Sequence, residues 1–426
     1  MKTQNNLPVA VIGAGPVGMA AISHLHKRNI PFLLFESGPN VGSSILSWAH
    51  VKVFSPWKYN IDKSAKELLR NSGWQEPTES EVHSGKEFYE LYLKPLSELP
   101  ALRDHIYLNS KVIAVGRKNM DKMKTMSREK TPFLIQVQEQ QDIKTYEARA
   151  IIDTSGTWLS PNPVGSGGNF AVGEAENADH IFYGIPDVMN KHKMRFANKN
   201  VAVIGGGHSA INTILELEKI KDEFPATTIN WILRKQKIED VYGGQADDAL
   251  EARGALGIRI EKLVNEDRVN IYTPFQIQEI RKTEGALSLV GVQNERRAMI
   301  PGIDQIIANT GSRPDFSFLR EIRLNISNSL ESAEAIADLI DPNVHSCGTV
   351  RPHGELELKH SEKDFYIAGS KSYGRAPTFL MATGYEQVRS IVAALDGDME
   401  AARKVELDLP ETGVCSSGSG EGACCA

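Results

Sequence analysis

Cysteine is scarce in these 426 residues and unevenly placed: Cys347 stands alone in the body, while Cys415, Cys424 and Cys425 crowd the C-terminal end. A disulfide framework is thereby excluded. No run approaches the ~20 consecutive apolar residues that a membrane-crossing helix needs, so no span is expected. An excess of positive charge is missing too. The chain has 48 Lys and Arg against 54 Asp and Glu, a net charge of −6, so neither nucleic acid nor an anionic membrane surface is an expected partner. Residues 1–8 lack the basic, apolar and small-residue succession of a secretory signal, and a cytoplasmic location is expected. What is present suits a globular protein. Hydrophobic residues make up 41% and charged ones 24%, and the length corresponds to two or three domains at ~100–200 residues each.

Two segments share one pattern, an apolar strand running into glycines and then into helical spacing. Val9-Ala10-Val11-Ile12-Gly13-Ala14-Gly15-Pro16-Val17-Gly18 leads into a helix to about Lys27, then a strand, Phe32-Leu33-Leu34-Phe35, that ends at Glu36. Val201-Ala202-Val203-Ile204-Gly205-Gly206-Gly207-His208-Ser209-Ala210 repeats it, with a helix to about Lys219 and a strand over 229–233 ending at Arg234 and Lys235. Each unit later reaches an apolar strand that stops at a Thr/Ser-Gly turn: Asp153-Thr154-Ser155-Gly156 in the first, Asn309-Thr310-Gly311 in the second. The architecture is duplicated at a period far too long for a solenoid. The reading is α/β, with two Rossmann-like three-layer dinucleotide-binding domains. A last strand over 365–368 ends at Gly369-Ser370, and a helix is expected over 378–395. From Glu411 the composition turns to Gly, Ser and Cys, which reads as a flexible tail.

Between a strand and a helix, G-x-G-x-x-G has a mechanical meaning. Gly13 permits the turn, Gly15 lets backbone N–H groups approach a diphosphate, and Gly18 allows close packing of helix on strand. Glu36 is placed to accept hydrogen bonds from ribose hydroxyls. In the second unit Gly205, Gly207 and Ala210 form G-x-G-x-x-A with Ser209 inside it, and Arg234 and Lys235 stand where an acid would bind the ribose. Two cations there suit a 2′-phosphate, so NADPH is expected in preference to NADH. His208 lies in this loop and could serve as a helix cap.

These motifs resemble the flavoproteins with two dinucleotide-binding domains, a group that includes thioredoxin reductases, mercuric and glutathione reductases and flavin-containing monooxygenases. The resemblance covers nearly everything before Glu411. It implies FAD in the first unit and NAD(P)H in the second, the second domain inserted in the first, with boundaries at 1–165 and 311–408 for the two parts of the FAD domain, 166–310 for the NAD(P)H domain and 409–426 for the tail. Gly156 and Gly311 match the group's crossing turns. Gly369-Ser370 stands where Gly-Asp is usual beside the flavin. The helix starting near Thr378 would aim its N-terminus at the flavin ring. Trp48 and Trp57, following Gly42, match aromatic positions that wall the flavin in monooxygenases and equally suit a core.

Electron transfer from flavin to a disulfide needs a cysteine pair beside the ring, and the body has only Cys347. Monooxygenation needs none, because reduced flavin itself reacts with oxygen. The fingerprint FxGxxxHxxx(F/W) is nevertheless absent: Phe170-Ala171-Val172-Gly173 has the wrong glycine spacing, and His180 comes too late. Cys424-Cys425 resembles the paired C-terminal cysteines of mercuric reductase and, with Cys415, could hold a soft metal or metalloid ion. The leading expectation is an FAD- and NADPH-dependent oxidoreductase, monooxygenase-like, acting on a small soft nucleophile: a sulfur, nitrogen or arsenic compound, with metalloid resistance in view. A metal(loid) or disulfide reductase working through the tail is the alternative. An amine N-hydroxylase and a non-enzymatic flavin sensor are the remaining options. Molecular oxygen is a candidate co-substrate and a homodimer a candidate assembly.

Overall fold

The computed structural model describes residues 6–248, 250–283, 285–344, 350–377 and 379–407. The described chain forms two compact units. The first comprises residues 6–160, 313–341 and 350–407, and the second centres on 161–312.

In the first unit five parallel strands lie in the order Phe365–Ile367, Ala150–Asp153, Val9–Ile12, Phe32–Phe35 and Ile106–Tyr107. The second unit repeats the order with Ile181–Tyr183, Gln305–Ala308, Asn200–Ile204, Thr228–Ile232 and Asn270–Tyr272. Each has a three-stranded antiparallel meander as well: Ser110–Arg117, Phe133–Glu139 and Asp142–Ala148 in the first, Gln276–Thr283, Ala286–Gln293 and Arg296–Ile303 in the second. The duplicated architecture expected from the sequence is the observed one.

The layering explains the apolar tetrads. Val9 and Val11 face helix Pro16–Lys27 through Met19, Ala20 and Ile22, whereas Ala10 and Ile12 pack on Val115, Phe133 and Ile135 of the meander. In the second unit Val201 and Val203 meet Ile211, Ile214 and Leu217 of helix His208–Ile220, and Ala202 and Ile204 meet Ile277 and Leu289. A strand covered on both faces must be apolar at every position rather than at alternate ones.

The closing helix runs Met381–Leu395 and begins later than the sequence suggests, because Leu380 is still extended. Thr378, as well as Cys347, Cys415, Cys424 and Cys425, lies outside the described residues. Among the described residues no helix is long and apolar enough to cross a membrane, and no cluster of His, Cys, Asp and Glu could hold a metal ion.

Candidate cofactor sites

Both glycine loops sit at the carboxyl end of a central strand, where the strand order reverses, the place where open α/β sheets bind ligands. Gly13 has φ +95°, and a Cβ there would come within 2.8 Å of Ser155 Cα. Gly205 has φ +130°, and a Cβ would come within 2.2 Å of the Asn309 carbonyl oxygen. Only glycine serves at either position. Gly15 and Gly207 are different: a Cβ at either would meet nothing within 4 Å, so the backbone faces open space. Gly18 is a packing glycine, whose Cβ would lie 1.9 Å from the Gly13 oxygen; its counterpart Ala210 is fully buried.

The helices behind the loops start alike. Gly15 and Gly207 are the N-cap residues, neither helix has a side-chain cap, and neither has an acid in its first turn. His208 is therefore the first residue of its helix rather than the cap, and Ser209 follows in the same turn, its carbonyl accepting from Thr213 Oγ1 at 2.9 Å. Uncapped N–H groups plus the positive end of the helix dipole make a diphosphate-binding surface. The open space in front of Gly15 and Gly207 is where such a group fits.

Beyond the second strand the units diverge. Glu36 is 8% exposed; its Oε2 accepts from Ala14 N and its Oε1 from Gly38 N, both at 2.8 Å. The carboxylate is thus oriented by backbone N–H groups beside the glycine loop, with lone pairs remaining for hydroxyl donors. At the matching place Arg234 is exposed and donates to the Ser166 carbonyl at 2.9 Å, and Lys235 donates to the Asp240 carbonyl at 2.9 Å. The Lys235 ammonium has three donors in all.

Both strand-end turns have a glycine at positive φ. Gly156 has φ +70°, and a Cβ there would lie 3.5 Å from Ser370 Oγ. Gly311 has φ +80° and accepts from Asn162 N at 2.9 Å. Gly369, at φ +76°, approaches Val17 in the first turn of helix Pro16–Lys27, with 3.4 Å to a built Cβ. Gly13, Gly18, Gly156, Gly369 and Ser370 therefore converge in the first unit. Trp48 is half-buried, its ring 6.3 Å from that of Trp158. Trp57 is a core residue stacked on His83 at 3.9 Å. Burial lowers the His83 pKa below the usual imidazole value, although the Ser84 carbonyl accepting from the ring works the other way.

Sequence reasoning missed several residues. Lys371, next to Ser370, has no exposed side-chain surface; its Nζ donates to Asp153 Oδ2 at 2.7 Å and to Ser155 Oγ at 3.1 Å. Gln387, from the closing helix, accepts from Gly369 N at 2.7 Å and donates to Ser372 Oγ at 2.9 Å, clamping the turn. In the second unit the buried Glu174 accepts from Val164 N, Ala171 N and Tyr183 Oη, which shapes the loop before the glycine strand. A charged residue closing an apolar strand, as Asp153 does, signals a buried partner, because an unpaired charge there is prohibitively costly.

The pyridine nucleotide-disulphide oxidoreductase family model matches residues 10–338, which include both glycine loops. A ferredoxin–NADP reductase of Ligilactobacillus salivarius is 23% identical over 366 residues, 84% of this chain and 88% of its own length. Among solved structures, the bacillithiol disulfide reductase of Bacillus cereus superposes with a TM-score of 0.65 at 18% identity, over 92% of this chain and 99% of its own. The cadaverine monooxygenase of desferrioxamine biosynthesis from Erwinia amylovora gives 0.65 at 12% identity, over 95% and 97%. These structural likenesses bear on fold. With both dinucleotide loops inside the matched region, the chain belongs to the pyridine nucleotide-disulphide oxidoreductase family as a two-domain oxidoreductase whose cofactors are FAD and NADPH.

Proposed function

We propose that the first unit holds FAD, that the second holds NADPH, and that electrons leave the flavin directly for the acceptor without passing through a cysteine pair. The observation that carries this reading is the single cysteine, Cys347, before the tail, where a thiol relay needs two. Bound FAD supplies hydride acceptance from NADPH and onward electron transfer. This chain's residues supply the rest. The Gly15 backbone and the N-terminus of helix Pro16–Lys27 take the diphosphate, and Glu36 takes ribose hydroxyls. Gly207 and Ser209 do the first job for the second nucleotide, while Arg234 and Lys235 engage its 2′-phosphate.

Within that class we infer a monooxygenase-like reaction on a small soft nucleophile, a sulfur, nitrogen or arsenic compound, with oxygen as co-substrate. The sequence relative named as a ferredoxin–NADP reductase favours an acceptor other than a protein disulfide. A second reading rests on Cys415, Cys424 and Cys425, which could relay electrons to a disulfide or capture a soft metal(loid) ion. Truncation after Pro410 separates the two. Direct transfer keeps both NADPH-driven flavin reduction and substrate turnover in the shortened chain. Normal flavin reduction with turnover abolished would overturn it in favour of the thiol relay.

A further inference from the structure

The Lys371–Asp153 pair is fully buried, and it ends on a serine. Ser155 is held from two sides: its N–H donates to Asp153 Oδ1 at 3.0 Å, and its Oγ accepts from Lys371 Nζ at 3.1 Å. Asp153 Oδ2 accepts from the same ammonium at 2.7 Å, so one ion pair fixes both the backbone and the hydroxyl of Ser155. An ammonium has only donors, so the serine oxygen must face it with a lone pair. Its proton then points away from Lys371. The Ser155 side chain is exposed, and its Cα is the atom closest to a Cβ built on Gly13, at 2.8 Å. Thr154 Oγ1 ties the same strand end to the glycine loop by donating to the Gly13 carbonyl at 2.9 Å. Ser155 is therefore a donor with a set orientation, beside the loop that faces open space at Gly15.

The pair has no obvious stabilising rationale. Burying two charges costs more than filling the space with apolar side chains of similar volume in many proteins, so an ion pair kept at this place calls for a positional role. The Lys371 ammonium also lies over the Phe318 ring, 4.5 Å from its centroid, which leaves it no freedom to turn to another partner. Gln387 holds the other side of the turn through Gly369 N.

We propose that the Ser155 hydroxyl donates a hydrogen bond to an oxygen of the FAD diphosphate, and that Lys371 and Asp153 are positioning residues that orient it. The inference rests on the assignment of FAD to the first unit. The test is titration of the deflavinated full-length protein with FAD, followed by flavin fluorescence, with the melting temperature of each deflavinated variant measured in parallel. Ser155→Ala raises the FAD dissociation constant by on the order of 10-fold or more, the effect of losing a hydrogen bond to a charged group, with no change in melting temperature. Ser155→Thr, which keeps the hydroxyl, stays close to wild type. The neutral double variant Asp153→Asn/Lys371→Met weakens FAD by the same factor as Ser155→Ala, and adding Ser155→Ala to it costs little more.

An unchanged dissociation constant in Ser155→Ala overturns the donor role. Wild-type FAD affinity in the double variant overturns the positioning role and leaves the pair merely structural. If the double variant does not fold, the contrast between Ser155→Ala and Ser155→Thr decides the donor role alone. Gly15→Trp is the control for the underlying assignment: if it retains FAD, the placement of FAD is wrong, whereas its loss alongside an unaffected Ser155→Ala discards only Ser155.

Discussion

The two dinucleotide units run one backbone scheme with different side chains at its ends. Gly13 N donates to the Phe35 carbonyl at 2.7 Å and Thr154 N to Ile12 at 2.9 Å; Gly205 N donates to Ile232 at 3.2 Å and Asn309 N to Ile204 at 2.8 Å. Diphosphate recognition uses main-chain N–H groups and a helix terminus, so a turn, an open glycine and an uncapped helix are copied whole. What discriminates one nucleotide from another is a side chain at the end of the second strand. There the first unit has a carboxylate held by Ala14 N and Gly38 N, and the second has the cations Arg234 and Lys235. The copies differ again at the third motif position. A Cβ at Gly18 would lie 1.9 Å from the Gly13 oxygen, whereas the second unit has Ala210 there.

The largest expected effects break one copy and spare the other. Gly15→Trp projects into open space, so the protein should fold, as far-ultraviolet circular dichroism would report, yet come out colourless. Gly207→Trp should give yellow protein that NADPH no longer reduces. If both variants lose the same cofactor, the units are not divided as proposed.

A second contrast is buried charge. In the first unit Glu362 accepts from Arg117 Nε at 2.8 Å and from Arg128 Nη2 at 2.7 Å, with the carboxylate side chain 1% exposed. Burial raises the Glu362 pKa, but bonds to Arg128 and Arg117 outweigh it and leave the carboxyl below its ordinary range. Glu362→Gln strands two buried guanidinium groups and should cost about 3–5 kcal/mol in denaturant unfolding. A loss under 1 kcal/mol would mean that the triad relaxes into solvent.

Nucleotide choice comes next in size. Arg234→Ala should raise the KM for NADPH about tenfold or more, since a charge-assisted contact is worth about 1.5–3 kcal/mol, and leave NADH almost unchanged. Equal efficiency of wild type with both nucleotides would mark the two cations as solvated surface.

The smallest effect concerns acid. Burial holds His360, in the first unit, down to about 4, although Asp153 acts in the opposite sense. Its folded pKa lies below the unfolded value of ~6.5, so between these values the unfolded chain binds more protons and stability falls as pH falls. From pH 7 to pH 5 the loss is about 2 kcal/mol, and His360→Gln should flatten the slope of melting temperature against pH. An unaltered slope would show that His360 titrates normally.

Both glycine loops and the two strand-end glycine turns were readable as backbone features because each answers to a local rule of spacing and backbone geometry. The start of the closing helix was not, since nothing near Met381 marks it and Leu380 is extended. Lys371 went unread for another reason. The sequence shows a missing acid after Gly369, whereas the structure turns the next residue inward to meet Asp153, 218 residues away.

Local periodicity and turn chemistry determined the duplicated α/β architecture and the glycine loops, because a covered parallel strand and a left-handed glycine impose themselves on any few consecutive residues. Only the tertiary structure decided the pairs Lys371–Asp153, Glu362–Arg117 and Gln387–Gly369. A buried charge or amide is satisfied by whatever partner the fold brings to it, and the partner's position in the chain has no bearing on the distance between them.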